Sequence, residues 1–186
     1  LIPSLFISKS EISKLGLFIS AISNIFDLSS GGELSPFFFA GEILAGTNIN
    51  LSKFSDSKYC LSCSSGTDAL LISLLAQGIS SGDKIITTPF TYFSTAEVIV
   101  QCGAKPVFVD IDPLTFNIDC SLIEQAITKK TKAIMPVHIF GQSANMCKIK
   151  KIARDYNLRV IEDCAQSIGS SYKKIFTGTF GDFGCY

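Results

Sequence analysis

Three stretches of the chain place ligand-gripping residue types directly after short apolar runs. The first is Ser64-Ser65-Gly66-Thr67-Asp68, which follows the run 59–62. Small residues and a glycine let backbone N–H groups converge on an anion. A helix starting there adds the positive end of its dipole. The stretch is neither a Walker loop nor G-x-G-x-x-G, so a nucleoside triphosphate or a dinucleotide is disfavoured. Taken alone, it also reads as an ordinary capped turn. The second is Thr87-Thr88-Pro89-Phe90-Thr91-Tyr92-Phe93. Pro89 stops a strand, and an aromatic ring at the tip can lie flat on another planar ring. Taken alone, Phe90 and Phe93 read as core and Tyr92 as merely amphipathic. The third is Glu162-Asp163-Cys164-Ala165-Gln166. A carboxylate at the end of a buried strand pays for desolvation and needs a cationic partner. Gln166, three residues on, can donate a hydrogen bond to a ring oxygen. The bland alternative for Asp163 is a helix N-cap.

Other candidates carry less. Asp110 and Asp112 form a carboxylate pair without further metal ligands, and read as turn and capping groups. His138 is the only histidine. It has no identifiable nucleophile beside it, and reads as a structural residue near a pocket. Cys60 and Cys63 make a lone C-x-x-C with no second pair, so the expectation is two small residues on a buried strand and no metal site.

The elements that must hold these residues follow from periodicity. Apolar runs at 59–62, 84–88, 106–110, 132–138 and 159–163 suit strands, and segments 67–77, 92–102, 121–127 and 144–156 suit helices. Strands alternating with helices at this spacing predict crossover units and a mostly parallel sheet flanked by helices, with functional residues at the carboxyl ends of strands. Ser121 and Glu124 have capping-box spacing. Gly78, Gly82 and Gly103 stand where helices should stop.

Residues 1–57 differ. They hold twelve serines and seven of the fifteen phenylalanines, with no period that lasts. Positions 5–22 allow a ragged amphipathic helix. The organisation predicted is an atypical N-terminal segment, 1–57, before a partial cofactor-binding domain, 58–186.

Composition narrows the class. Sixteen Lys and Arg balance sixteen Asp and Glu, and only Arg154 and Arg159 are arginines. Bulk attraction to nucleic acid or to an anionic membrane is therefore not expected. No apolar run reaches the ~20 residues of a membrane span. Seven scattered cysteines argue for a reducing, cytoplasmic setting rather than a disulfide scaffold.

Together, an anion cradle, an aromatic over a ring and a carboxylate for a ring nitrogen describe one ligand. That ligand is pyridoxal 5'-phosphate (PLP).

The motifs SSGTDAL (64–70), GDKIITTPFTYFSTAEVI (82–99), GAKPVFVDIDPLTFNID (103–119), TKAIMPVHIFGQ (131–142) and VIEDCAQSIGSSYK (160–173) occur in that order. Over residues 58–186 the chain resembles the DegT/StrS group of PLP-dependent sugar-nucleotide aminotransferases, with an aspartate-aminotransferase-like α/β large domain. The resemblance implies that Gly66, Thr67 and Asp68 hold the phosphate, Tyr92 stacks on the pyridine, Asp163 pairs with the pyridine N–H⁺, and Gln166 bonds the phenolic oxygen. It implies a nucleotide-linked keto sugar as acceptor, a UDP-linked 3-keto sugar first, with an amino acid such as glutamate as donor. It also implies a homodimer and a place in cell-surface polysaccharide or amino-sugar biosynthesis.

Two departures shape the expectation. The family's Schiff-base lysine falls beyond Tyr186, and neither Lys173 nor Lys174 sits in its motif. The chain as given is therefore expected to be an inactive fragment with no catalytic residue of its own. Residues 1–50 do not match the family's opening helix. The competing expectations are a non-catalytic remnant, and a PLP-dependent sugar dehydratase with histidine in place of the lysine.

Overall fold

The computed structural model describes residues 37–41 and 48–186. The helical pattern anticipated over residues 5–22 lies outside these residues. In chain order the elements are β1 (Phe37–Gly41), α1 (Asn48–Ser55), β2 (Tyr59–Cys63), α2 (Gly66–Ala76), β3 (Lys84–Thr87), α3 (Ser94–Gln101), β4 (Lys105–Phe108), α4 (Cys120–Ala126) and β5 (Thr131–Ile134). A short 3-10 turn (Ile139–Gly141) then leads to α5 (Met146–Asp155), β6 (Arg159–Asp163), β7 (Ser171–Tyr172), β8 (Ile175–Phe176) and β9 (Phe183–Cys185).

Seven strands form one sheet in the order β2-β1-β9-β6-β5-β3-β4, and the pairings between them are parallel. This is the parallel α/β sheet flanked by helices that the alternation of elements anticipates. Strand β6 occupies the middle position, so its carboxyl end opens where strands on both sides can contribute loops. Pro106 sits on β4 at the sheet edge, where its missing N–H costs no ladder bond. Pro136 ends β5 earlier than the apolar run 132–138 suggests. Pairing then continues irregularly: Asp163 N–H donates to the Pro136 carbonyl at 2.9 Å, and His138 N–H to the Asp163 carbonyl at 3.0 Å.

Four strands escape the sequence pattern: the short β7–β8 hairpin and, within the main sheet, β1 and β9. β1 lies between β2 and β9, within the segment read as atypical. Phe37-Phe38-Phe39-Ala40-Gly41 is the continuous apolar run expected of a strand in a parallel sheet, but it stands outside the regular strand–helix spacing that begins at residue 58. β9 is only three residues long and sits inside a glycine-aromatic stretch.

Alternation along β6 divides the chemistry between two layers. Val160 joins the main core with Ile86, Ile134, Met146, Ile149, Ile152 and Phe180. Helix α5 covers that core with Met146, Ile149, Ile152 and Ala153, while Lys148, Lys150 and Lys151 face water. Helix α2 is apolar nearly all round and packs against β1, β9, β6 and α3. The anticipated capping box does not form. Asp119, two residues ahead of Ser121, caps α4 by accepting from Ser121 N–H at 2.8 Å. Its carboxylate reaches the first turn, whereas Ser121 lies inside it. Gly78 and Gly103 do close α2 and α3, with φ of 70° and 76°.

Candidate functional site

The turn between β2 and α2 is built by its own side chains. Ser65 caps α2, its hydroxyl accepting from Asp68 N–H at 3.1 Å. The Asp68 carboxylate accepts from the hydroxyls of Ser64 and Ser65. The first N–H groups of a helix have no partner within it. Gly66 and Thr67 present theirs at the mouth of α2, with the positive end of the dipole behind them. Gly66 also approaches Tyr186 closely: a Cβ there would lie 3.3 Å from the Tyr186 carbonyl oxygen.

A cleft of about 240 Å³ opens here, lined by Gly66, Thr67, Thr91, Tyr92, Asp163 and Gln166 among others. Five of the six residues singled out from sequence thus meet around one space. Asp68 is not among the lining residues, because its carboxylate is turned to the two serines. Tyr92 stands 75% exposed at the rim. Phe93 is 72% exposed and Phe90 42%, so neither belongs to the core. Phe90 instead packs with Phe116 and Phe140, at centroid distances of 5.8 and 6.1 Å.

Asp163 reaches the cleft from the end of the central strand with only 5% of its surface exposed. It does not cap a helix. Its carboxylate accepts from the Thr95 hydroxyl at 2.8 Å and from Ala165 N–H at 3.2 Å. Thr91 extends the chain, its hydroxyl 2.9 Å from that of Thr95. Burial pushes the Asp163 carboxyl above its ordinary value, and the hydrogen bonds from Thr95 and Ala165 pull against that push. Among the described residues no lysine or arginine forms an ion pair with it. Sequence reasoning missed Thr95. The available signal is the pair of hydroxyls four residues apart, Thr91 in the turn and Thr95 in the first turn of α3.

Gln166 accepts from Phe140 N–H through Oε1 at 2.8 Å. That bond fixes the amide orientation and leaves Nε2 as the end free to donate.

The remaining candidates are structural. His138 is fully buried. Its Nδ1 accepts from Ala144 N–H at 3.0 Å, so Nε2 carries the proton and donates to Glu162 at 2.9 Å. The Glu162 carboxylate also accepts from Gly178, Phe180 and Gly181 N–H at 2.9, 2.8 and 2.7 Å. His138, Glu162 and Cys164 lie close enough to suggest a metal site, but these hydrogen bonds already occupy the imidazole lone pair and the carboxylate. Asp110 and Asp112 bond the backbone of their own turns. Cys60 and Cys63 lie on β2, a partly buried strand at the sheet edge rather than a buried one. Burial pushes the Cys60 thiol up to about 11, away from the thiolate that a metal requires.

The donor set suits a pyridoxal-type group. It offers N–H donors for an anionic tail, an exposed aromatic for a planar ring, and a buried carboxylate lacking a cation for a ring nitrogen. Comparisons with known proteins agree. A model of the DegT/DnrJ/EryC1/StrS aminotransferase family matches residues 37–186, starting well ahead of Lys58. Over 138 residues the chain is 54% identical to a UDP-2-acetamido-2-deoxy-3-oxo-D-glucuronate aminotransferase of Pseudomonas aeruginosa, covering 72% of this chain and 38% of that protein. An aminotransferase from Psychrobacter cryohalolentis superposes with a TM-score of 0.74 at 34% identity, over 95% of this chain and 42% of that one. NtdA of Bacillus subtilis, solved with bound cofactor PMP, superposes with a TM-score of 0.69 at 34% identity, over 92% of this chain and 37% of that one. The chain spans about two fifths of the length of the curated relatives it matches. No helix among the described residues is long and apolar enough to cross a membrane.

Proposed function

The chain belongs to the DegT/DnrJ/EryC1/StrS aminotransferase family, and on that footing we propose that the protein carrying it is a PLP-dependent sugar aminotransferase. It moves an amino group from an amino acid, glutamate first, to a nucleotide-linked keto sugar, with a UDP-linked 3-keto sugar as the leading acceptor. The 54% identity to the Pseudomonas enzyme supports that acceptor. The same reading gives a cytoplasmic homodimer that supplies amino sugars for surface polysaccharide.

One observation carries the proposal. The open N–H groups at Gly66 and Thr67 and the buried carboxylate of Asp163 line a single cleft. Gly66 and Thr67 would take the phosphate of PLP through backbone N–H groups and the Thr67 hydroxyl. Asp68 would keep that turn in shape through Ser64 and Ser65. Tyr92 would lie on the ring, and Gln166 would donate from Nε2 to the phenolic oxygen. Asp163 would hold a proton on the ring nitrogen, and Thr95 would hold Asp163. When bound, PLP with its ring protonated withdraws electron density from the substrate carbon that loses a proton.

The test is isotopic. The protein containing this segment is incubated with PLP, [15N]glutamate and a UDP-linked 3-keto sugar, and the sugar is analysed by mass spectrometry. The expected result is a 15N-labelled amino sugar. Loss of water from the sugar without nitrogen gain, or no change at all, would contradict the proposal.

A further inference from the structure

Thr95 departs from the ordinary behaviour of a buried hydroxyl in a helix. Such a hydroxyl often donates to the carbonyl four residues back. Ser73 of α2 does so, donating to the Ala69 carbonyl at 2.7 Å. Thr95 is fully buried in the first turn of α3, yet it donates across to another element, to the Asp163 carboxylate at 2.8 Å. Valine has the same branched shape, so packing alone does not call for a hydroxyl there.

The direction of the bonds follows from counting protons. A hydroxyl has one to donate, and an ionised carboxylate only accepts. Thr95 gives its proton to Asp163. The 2.9 Å contact between the Thr91 and Thr95 hydroxyls is therefore a bond donated by Thr91. The row runs one way, from Thr91 to Thr95 to Asp163. Thr91 is half-buried, lines the cleft and stands directly before Tyr92 at its rim. Hydrogen bonds in a row polarise one another, so a donor two links away strengthens the last bond.

The other groups around Asp163 do not duplicate this row. Ala165 N–H reaches the second carboxylate oxygen at 3.2 Å. His138 adds a smaller downward pull through space. Burial keeps the thiols of Cys164 and, on β9, Cys185 neutral. Asp68 of α2 is turned to Ser64 and Ser65. Glu97 of α3 stands two residues beyond Thr95, on a different side of the helix.

We infer that Thr91 is a positioning residue for Asp163: acting through Thr95, it favours the ionised carboxylate and ties the turn that presents Tyr92 to the residue that faces the ring nitrogen. The inference rests on the proposed function, which makes that carboxylate the partner of the ring nitrogen. It adds a residue that acts on the ring site from two hydrogen bonds away.

The experiment follows the Asp163 carboxyl by infrared pH titration of the cofactor-free protein containing this segment, its band identified by its absence from Asp163→Asn. Thr95→Val removes a hydrogen bond to the charged form, so the proton affinity of the carboxyl should rise on the order of tenfold. Thr91→Val should raise it about two- to threefold. Thr91→Ser should restore the unaltered value, and Thr91→Val added to Thr95→Val should change nothing more. A Thr91→Val effect of the same size with and without the Thr95 hydroxyl overturns the inference, because Thr91 then does not act through Thr95. No shift in Thr91→Val also overturns it, and a loss of thermal stability without a shift marks a merely structural role. Titration of the unaltered protein with PLP separates the two readings. If PLP binds and Thr91→Val shows no shift, this inference falls and the aminotransferase proposal stands. If PLP does not bind, both fall.

Discussion

Glu162 and Asp163 are neighbours on the central strand, both buried, and they point to opposite faces of the sheet. On one face, Glu162 accepts four hydrogen bonds, from His138, Gly178, Phe180 and Gly181. That fills the acceptor capacity of a carboxylate. On the other face, Asp163 accepts two, from Thr95 and Ala165. Its remaining capacity opens on a cleft whose other end offers N–H groups to an anion. The same chemical group is finished as structure on one side and left short on the other. Incomplete satisfaction of a buried charge, rather than burial or charge alone, separates the functional residue from the structural one.

The largest effect that would break this contrast is on cofactor affinity. Asp163→Asn should weaken PLP binding about 100- to 1000-fold, the scale of breaking a buried charge pair from one side. Fluorescence titration with PLP measures it. The same substitution should not lower the stability of the cofactor-free chain. A variant that binds PLP normally would erase the functional half of the contrast.

Glu162→Ala should do the reverse. It leaves three buried backbone N–H groups and an imidazole N–H without an acceptor, at a cost of about 3 kcal/mol or more. The segment that would loosen is closely packed: Gly178 has φ 82°, and a Cβ there would lie 2.6 Å from Tyr186 Oη. Chemical denaturation measures the loss. If Glu162→Ala costs nothing, Glu162 is not the clasp described here.

Titration sharpens the contrast further. The folded Asp163 carboxyl sits above its ordinary value of 3.8 because of burial. A raised carboxyl favours folding below the unfolded value, and that contribution is lost as pH rises through the folded value. The cofactor-free chain should therefore lose stability as pH climbs from about 4, and Asp163→Asn should remove that slope. Thr95→Val deletes the hydrogen bond that pulls the carboxyl down, so the slope should extend to higher pH. Thermal melts across pH read both, and a slope unchanged in Asp163→Asn would count against the assignment.

The smallest effect lies on the structural side. Lys173 and Lys174 form the turn between β7 and β8, with φ of 52° and 67°. Lys174→Gly removes left-handed strain and should stabilise the chain by about 1 kcal/mol, with PLP affinity unchanged. A shift in affinity would couple this hairpin to the cleft and blur the division between the two faces.

Much of this organisation is written in residue types. The runs ending at Ser62, Thr88 and Asp163 announce strands and the turns that follow them, because apolar length and small or acidic ends are sequence properties. Family resemblance then pointed to the residues that meet in the cleft. Other features leave no such mark. The donors that finish Glu162 are backbone N–H groups, which every residue but proline has. Thr95 becomes a partner of Asp163 only through the pairing of distant elements. The left-handed backbone at Phe116 and Phe140, with φ of 59° and 55°, is invisible in a side-chain alphabet. β1 is an apolar run like the others, but it stands in the serine-rich segment, outside the regular strand–helix spacing that identified them.

The most direct measurement compares PLP with its carbocyclic analogue, in which carbon replaces the ring nitrogen. Both are titrated into the unaltered chain and into Asp163→Asn. If Asp163 grips the ring nitrogen, the unaltered chain will prefer PLP by about 100-fold or more, and the variant will bind the two alike. Equal affinities in the unaltered chain would contradict the account.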